Sequence, residues 1–308
     1  MRSPHPTLRG WFIGPLNGVS QVFLQRHPGC GALLLLAIFL GAPSLLPYAV
    51  LGTWSAWFIA RCLGAAPDDL DAGLYGYNGC LLGLLLGLHL EGEALLPLFV
   101  IAAAGLSSLV MRPLLRASRR HDGLPVYTSP FVALGWISLW LAGLLPPPQP
   151  DDTPWPQVTL ADGGLALLRS FGQVIFLDSP AAGACVLAAL ALASWRVAAW
   201  ALLGAGSALL LGMALALPQT AVMGGLFGLN GVLIAIALGQ GVRSLPRVLL
   251  GVGLGLLLQP GFAALGLPAM TAPFILACWL VLAGGRLLRD SARRTAGNAH
   301  ALRRARRL

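Results

Sequence analysis

The feature that most constrains this chain is a series of long apolar stretches. An α-helix needs about 20 predominantly apolar residues to cross the hydrocarbon core of a bilayer. Because lipid supplies no hydrogen-bond partners, a spanning segment must be a helix or part of a closed β-barrel. These stretches show no period-two alternation, which favours helices over a barrel. The clearest of them cover residues 32–48, 81–90, 95–110, 131–145, 184–193, 198–217, 248–258 and 274–288.

Composition agrees with an all-α polytopic membrane protein. Of the 308 residues, 57% are hydrophobic and 10% are charged, whereas a soluble domain carries about a quarter charged residues. No removable signal peptide is evident, because the segment after Arg9 contains Pro15, Asn17 and Gln21 and lacks a small-residue cleavage site. The five cysteines lie scattered without metal or disulfide spacing, so we expect small buried side chains.

The placement of positive charge predicts a topology. All 20 basic residues are arginine, and ten helices starting in the cytoplasm leave only Arg169 outside, as the positive-inside rule requires. Both termini are then cytoplasmic. The lack of lysine is typical of a GC-rich bacterial genome, so we expect a bacterial inner membrane. The helices are expected at residues 31–47, 49–61, 73–90, 95–110 and 131–145, and then from about residues 183, 198, 225, 248 and 272.

The net charge of +9 raises the alternative of a nucleic-acid partner. The arginines lie mostly between apolar stretches or in the tail at residues 286–308. We therefore interpret the tail as a cytoplasmic anchor near anionic lipid and expect no nucleic-acid partner.

An internal repeat divides the chain. Each copy holds five expected helices, an odd number, so the second copy must enter the membrane in the opposite orientation. The loop at residues 111–124 carries four arginines and its counterpart at 259–270 none, as expected for equivalent loops on opposite faces. The repeated segments are Gln21-Val22 and Gln173-Val174, GLYGYNG at 73–79 and GLFGLNG at 225–231, and TSPF at 128–131 and TAPF at 271–274.

We therefore predict two halves, residues 1–150 and 151–308, joined by the proline-rich segment 146–156. Inverted repeats are typical of transporters and channels, with the permeation site near the midplane between the repeats. The alternative is a duplication within a purely structural membrane protein.

The glycine-rich motifs at 73–79 and 225–231 are unusual for a lipid-facing helix. Tight helix packing could account for any single glycine. Their density in both copies favours a broken or half-spanning helix near a pore, because irregular backbone at membrane depth must be covered by protein or water. We expect Asn78 and Asn230 to bond loose backbone groups there.

Two further polar pairs are repeated. Gln21 and Gln173 lie in apolar surroundings, where an amide must be hydrogen-bonded or face water. Thr128 and Thr271 each stand two residues before a proline, where a lone threonine usually caps a helix. A symmetric pair facing the interface between the halves is a better candidate for pore lining, with unpaired carbonyls nearby because proline donates no N–H.

Ionisable groups are missing from these motifs. Asp178 lies at a helix boundary where the first half has Arg26, and His89 is isolated, either satisfied locally or, less simply, a proton relay. No metal-ligand spacing, Walker motif or Ser/His/Asp constellation occurs. An enzyme is not indicated, and no cofactor or metal is expected.

The repeated motifs resemble the signature segments of the urea transporter family, in order, from about Leu16 to Trp279. The resemblance implies ten membrane helices with two half-spanning pore helices, inverted halves, and a homotrimer in which each protomer has its own pore. It also implies channel-like permeation through a constriction with flat apolar slots and a ladder of oxygens. The polar filter residues would be Gln21, Thr128, Gln173 and Thr271, and the slot walls Val22, Tyr77, Leu81, Val174, Leu226, Leu229 and Leu233.

Two positions depart from the family pattern. Leu229 stands where an aromatic residue is common, and Arg26-His27 stands where an asparagine usually precedes the proline. The sequence thus predicts a passive urea channel. The alternatives are a facilitator of other small amides or ammonia, and an ion-coupled carrier, which would need acidic or histidine residues within the membrane.

Overall fold

The computed structural model describes residues 8–120, 123–145, 159–239 and 245–305, and this part of the chain is helical without strands. The expected joint at 146–156 lies outside the described residues, as do Arg2 and Arg243. The first half comprises α1 (Leu8–Gln21), α2 (Pro28–Gly41), α3 (Leu46–Cys62), α4 (Pro67–Asp71), α5 (Gly76–His89), α6 (Leu96–Arg119) and α7 (Ser129–Leu141).

The second half presents the same order of elements, including a five-residue helix in the fourth place. Its first helix starts with a capping box, in which the Asp162 N–H donates to the Thr159 hydroxyl. The Thr159 hydroxyl and N–H in turn donate to the Asp162 carboxylate, and these two bonds hold the pKa of Asp162 below its ordinary value. The helices are α8 (Leu160–Gln173), α9 (Pro180–Ala193), α10 (Trp195–Ala214), α11 (Gln219–Met223), α12 (Gly228–Leu238), α13 (Leu245–Ala264) and α14 (Ala272–Ala305).

Several helices have the length and composition of membrane spans. Within the described residues, four are long and apolar enough to cross a bilayer: Leu96–Arg119, Trp195–Ala214, Leu245–Ala264 and Ala272–Arg289. Pro28–Gly41, Ser129–Leu141, Pro180–Ala193 and Gly228–Leu238 are shorter apolar helices. The chain is thus a helical, multi-pass membrane protein, and the count of ten spans stays a prediction.

Some expected boundaries are wrong. The apolar stretch at 31–47 is not one helix, because α2 ends at Gly41 and a single 3-10 turn over Pro43–Leu45 leads into α3. Proline removes a backbone N–H and restricts the residue before it, so helices commonly end just before a proline. In addition, α1 and α8 are helices that the ten-helix scheme did not include. Their 14 residues give a length of about 21 Å, short of the roughly 30 Å hydrocarbon core.

Close backbone contact organises the packing of α3 on α5. A Cβ added to Gly52 would overlap the carbonyl of Gly79, and one added to Gly79 would overlap that of Gly52. Gly204 of α10 and Gly231 of α12 are related in the same way. Glycine pairs of this kind let membrane helices approach each other closely. Helices α2 and α9, which hold the same place in each half, also pack together.

Candidate functional site

The glycine-rich motifs interrupt the helical backbone where the sequence predicted. Gly73 has φ +77° between α4 and α5, and Gly225 has φ +79° between α11 and α12. A Cβ at Gly73 would overlap the backbone of Asn17 and Gly18 in α1. Conformation and space therefore both require glycine here, and the turn brings the start of α5 against α1.

The two asparagines of these motifs bind backbone, as predicted. Asn78 Oδ1 accepts the N–H of Phe131 at 3.1 Å, and Asn230 Oδ1 accepts the N–H of Phe274 at 3.1 Å. Both amides are buried. The bonded N–H groups belong to the first turns of α7 and α14. N–H groups in the first turn of a helix have no hydrogen-bond partner within that helix. Each asparagine thus fixes the start of the helix that follows its threonine.

The repeated glutamines end α1 and α8 and make equivalent bonds. Gln21 Nε2 donates to the carbonyl of Ala72 and Gln173 Nε2 to that of Gly224, each at 3.0 Å. A backbone carbonyl only accepts, so the NH₂ end of each amide must face it. The Oε1 end is then directed away from this bond and can accept hydrogen bonds from a solute.

The repeated threonines meet each other. Thr128 Oγ1 and Thr271 Oγ1 lie 2.7 Å apart and are buried. Thr128 precedes α7 and makes no side-chain cap bond, so its hydroxyl does not have the capping role that is common for a lone threonine. One hydroxyl of the pair donates and the other accepts. The accepting hydroxyl can still donate its own O–H to another group, and both oxygens keep lone pairs that can accept.

A cavity of about 270 Å³ lies beside this pair. Phe131 and Phe176 stand on its wall with ring centroids 6.1 Å apart. Five of the sequence-predicted residues line it: Gln173, Val174, Leu226, Leu229 and Thr271. The rest of its lining is Leu85, His89, Phe131, Leu139, Phe176, Gln259, Pro268, Ala269 and Met270.

The other sequence-predicted residues do not line this cavity. Tyr77 is buried, and its hydroxyl donates to the carbonyl of Tyr127 at 2.6 Å. Gln21 and Thr128 make the bonds described above. Val22, Leu81 and Leu233 belong to the apolar core. The functional roles of all eleven stay predictions.

Sequence reasoning missed several of the lining residues. Gln259 donates through Nε2 to the carbonyl of Leu226 at 3.0 Å and accepts from Asn230 Nδ2 at 3.1 Å. Its signal is a polar residue directly before Pro260 inside the apolar helix α13. Phe176 follows the Gln173-Val174 pair and has φ +61°. No signal in the sequence placed Met270 here.

Asp, Glu, Lys and Arg are absent from the described lining of the cavity. His89 is the ionisable group among the lining residues, and its Nδ1 is 2.9 Å from the carbonyl of Leu85. Asp178 pairs with Arg169 at 3.2 Å. In the part of the chain that the structure describes, no three His, Cys, Asp or Glu residues are grouped to hold a metal. The arrangement offers neutral acceptors and flat apolar walls.

Comparisons with known proteins agree on one family. The model of the family described as urea transporter matches residues 14–286. Urea transporter 1 of Ovis aries is 29% identical over 288 residues, which cover 87% of this chain and 75% of that protein. The Capra hircus protein of the same name gives the same identity and coverage, and that of Rattus norvegicus is 27% identical over 290 residues.

Proposed function

Because the chain belongs to the urea transporter family, we propose that it is a passive, channel-type facilitator of urea whose path runs between its two halves. It is a membrane protein for urea transport and not an enzyme. The proposal that the path runs between the two halves is supported by the 2.7 Å contact between Thr128 Oγ1 and Thr271 Oγ1. It joins equivalent hydroxyl groups of the two halves at the edge of the cavity.

The chemistry of urea suits these groups. Urea is planar and neutral, with four N–H donors and one carbonyl. Leaving water costs several kcal/mol unless new acceptors replace the lost hydrogen bonds. Gln173 Oε1 and the Thr271 hydroxyl offer acceptors at the cavity, and Gln21 and Thr128 are their equivalents in the first half. Several similar weak sites in a row allow both entry and exit, as conduction requires.

The walls exclude hydrated ions by shape and polarity. We assign Val174, Leu226 and Leu229 to one slot, with the aromatic rings of Phe131 and Phe176 beside them. Val22, Tyr77, Leu81 and Leu233 are the proposed walls of the rest of the path. An ion passing such walls would lose its water without a compensating charge. An ion-coupled carrier would need acidic or histidine residues on the path. Among the described lining residues His89 is the ionisable group, with Nδ1 2.9 Å from the Leu85 carbonyl, and no Asp or Glu lies beside it, so a carrier is not favoured.

Purified protein in liposomes tests this proposal. A urea gradient imposed in a stopped-flow instrument is expected to collapse much faster than in empty liposomes, at a rate unchanged by sodium or proton gradients. Strict dependence on either ion would contradict a channel. Parallel gradients of formamide and ammonia test the alternative solutes.

A double substitution tests the role of the contact between the two threonines. Thr128→Val/Thr271→Val removes both hydroxyl groups with little change of shape. Losing buried acceptors costs about 1–3 kcal/mol, so we expect urea flux to fall roughly tenfold or more in a protein that still folds. Unchanged flux would remove the pair from the path.

We further propose the finer architecture. Ten spanning and two half-spanning helices form inverted halves, 1–150 and 151–308, in a bacterial inner membrane with cytoplasmic termini, and three copies form a homotrimer. The distribution of arginine and the recurrence of elements in α1–α7 and α8–α14 support the inverted halves and their orientation. The homotrimer is proposed from the family resemblance alone. Native mass spectrometry of the detergent-extracted protein would decide the number of copies.

A further inference from the structure

Two tryptophans, one in each half, donate hydrogen bonds to the backbone of the opposite half. Trp136 Nε1, in α7, donates to the carbonyl of Pro268 at 2.9 Å. Trp279 Nε1, in α14, donates to the carbonyl of Pro125 at 2.8 Å. Each tryptophan stands about two helical turns after its threonine, and each proline stands three residues before the threonine of the other half. The two bonds are thus equivalent and reciprocal.

The segments that receive these bonds are conformationally strained. Tyr127 has φ +49° and Met270 has φ +44°, a left-handed conformation that bulky residues rarely adopt. Such conformations persist only where the surroundings determine them. Each segment is held a second time from its own half, because the Tyr77 hydroxyl donates to the Tyr127 carbonyl at 2.6 Å and Asn230 Nδ2 to the Met270 carbonyl at 3.2 Å.

The threonines directly follow the strained residues. The position of each hydroxyl therefore depends on the backbone of Pro125–Thr128 or Pro268–Thr271. The bonds from Tyr77 and Asn230 fix each segment to its own half. The Thr128–Thr271 contact and the packing of the Tyr127 ring on Phe274, with centroids 4.7 Å apart, also join the halves here. The two indole bonds anchor the proline end of each segment to the opposite half, and so they act on the separation between the two segments.

We propose that Trp136 and Trp279 are positioning residues that set the distance between Thr128 and Thr271, and with it the width of the constriction. This inference rests on the proposed function. Loss of an indole N–H leaves a shielded carbonyl without its partner. The segment then relaxes toward its own half, the threonines move apart, and the path admits bulkier amides.

The variants are Trp136→Phe, Trp279→Phe and the double substitution, which keep an aromatic ring and remove the donor. Trp57→Phe is the matched control, because Trp57 also donates its indole N–H to a backbone carbonyl, that of Leu70 at 3.3 Å, but within one half. Trp57 is buried, whereas Trp136 and Trp279 are half-buried. Fluxes of urea and N,N′-dimethylurea are measured in liposomes, with the melting temperature of each protein.

We expect the dimethylurea-to-urea flux ratio to rise about fivefold or more in the double variant, since steric discrimination in a pocket is typically worth 10–200-fold. Each single variant gives part of this rise, which keeps the test decisive if the double variant does not fold. Trp57→Phe is expected to lower the melting temperature without changing the ratio.

A ratio unchanged in folded single variants overturns the inference. Failure of both single variants to fold, while Trp57→Phe folds, also overturns it, because it assigns the tryptophans a structural role. A wild-type protein that passes no urea would instead contradict the proposed function, and the two failures are therefore distinguishable.

Discussion

At the scale of single residues, the orientation of the repeated amides explains how glutamine can serve a neutral solute. Gln21 and Gln173 each donate a hydrogen bond from their NH₂ group to a backbone carbonyl at 3.0 Å. This bond holds the side chain in place and leaves oxygen as its remaining polar end. Urea, which carries mainly donors, matches an oxygen better than it would match an amine.

Replacing either glutamine by leucine is expected to slow urea by roughly 5–100-fold, because loss of a partly buried acceptor costs about 1–3 kcal/mol. Stopped-flow flux in liposomes measures the change. Gln219→Leu, at the start of α11 and away from the cavity lining, is the control and is expected to retain wild-type flux. If both variants behave like the control, the two glutamines have only structural roles.

The pair Tyr77 and Leu229 shows how equivalent positions differ. Tyr77 is anchored by its hydroxyl bond to Tyr127, whereas Leu229 lines the cavity without a polar tip. A rounder, more flexible side chain grips a planar solute less firmly than a rigid ring. The second-half slot is therefore expected to discriminate poorly between urea and methylurea.

Leu229→Phe is expected to narrow this slot and to reduce methylurea flux more than urea flux. Leu229→Met, which adds no width, is the control. The competing outcome is overpacking, which costs about 1–3 kcal/mol of stability. A lower melting temperature with an unchanged flux ratio would show that Leu229 is not a slot wall.

At the scale of elements, left-handed glycines decide where α4 gives way to α5 and α11 to α12. Gly73 and Gly225 combine a positive φ with a position against the backbone of α1 and α8, respectively. Gly64 has φ +71° but no atom within 4 Å of an added Cβ. The three positions therefore separate the cost of conformation from the cost of overlap.

We expect Gly64→Ala to destabilise the protein by about 1 kcal/mol, the conformational cost alone. Gly73→Ala and Gly225→Ala are expected to cost about 1–3 kcal/mol more, because a methyl group is forced into close-packed backbone. Thermal melting in detergent compares the three. Equal losses would mean that α1 and α8 yield to the added methyl groups.

At the scale of the whole molecule, the inverted arrangement predicts opposite exposure of equivalent helix ends. Ser118 lies near the end of α6, and Leu265 follows α13 at the same distance from the proline inside each helix. Equivalent positions of inverted halves must lie on opposite faces of the membrane.

Ser118→Cys and Leu265→Cys, in a background with Cys62→Ser and Cys185→Ser, test this topology. A membrane-impermeant maleimide added to intact cells is expected to label Leu265→Cys and to leave Ser118→Cys unlabelled. Both must be labelled after the membrane is permeabilised. Labelling of both in intact cells would mean that the halves are parallel.

The sequence by itself determined the features that depend on nearby residues. Runs of apolar side chains specify helices in lipid because every backbone group must then bond within its own segment. The repeat located the glycine turns and the two asparagines, whose bonds to Phe131 and Phe274 were predicted in kind. Prolines, in contrast, ended helices that apolarity alone had extended, as at Pro43.

Only the tertiary structure decided what meets across the halves. The contact of Thr128 with Thr271 joins residues 143 positions apart, and the crossing bonds of Trp136 and Trp279 span 132 and 154 positions. It also placed Gln259 and Phe176 beside the cavity and left Val22 and Leu81 in the core. The physical reason is that helical hydrogen bonds are set by residues four apart, whereas these contacts depend on how whole helices pack.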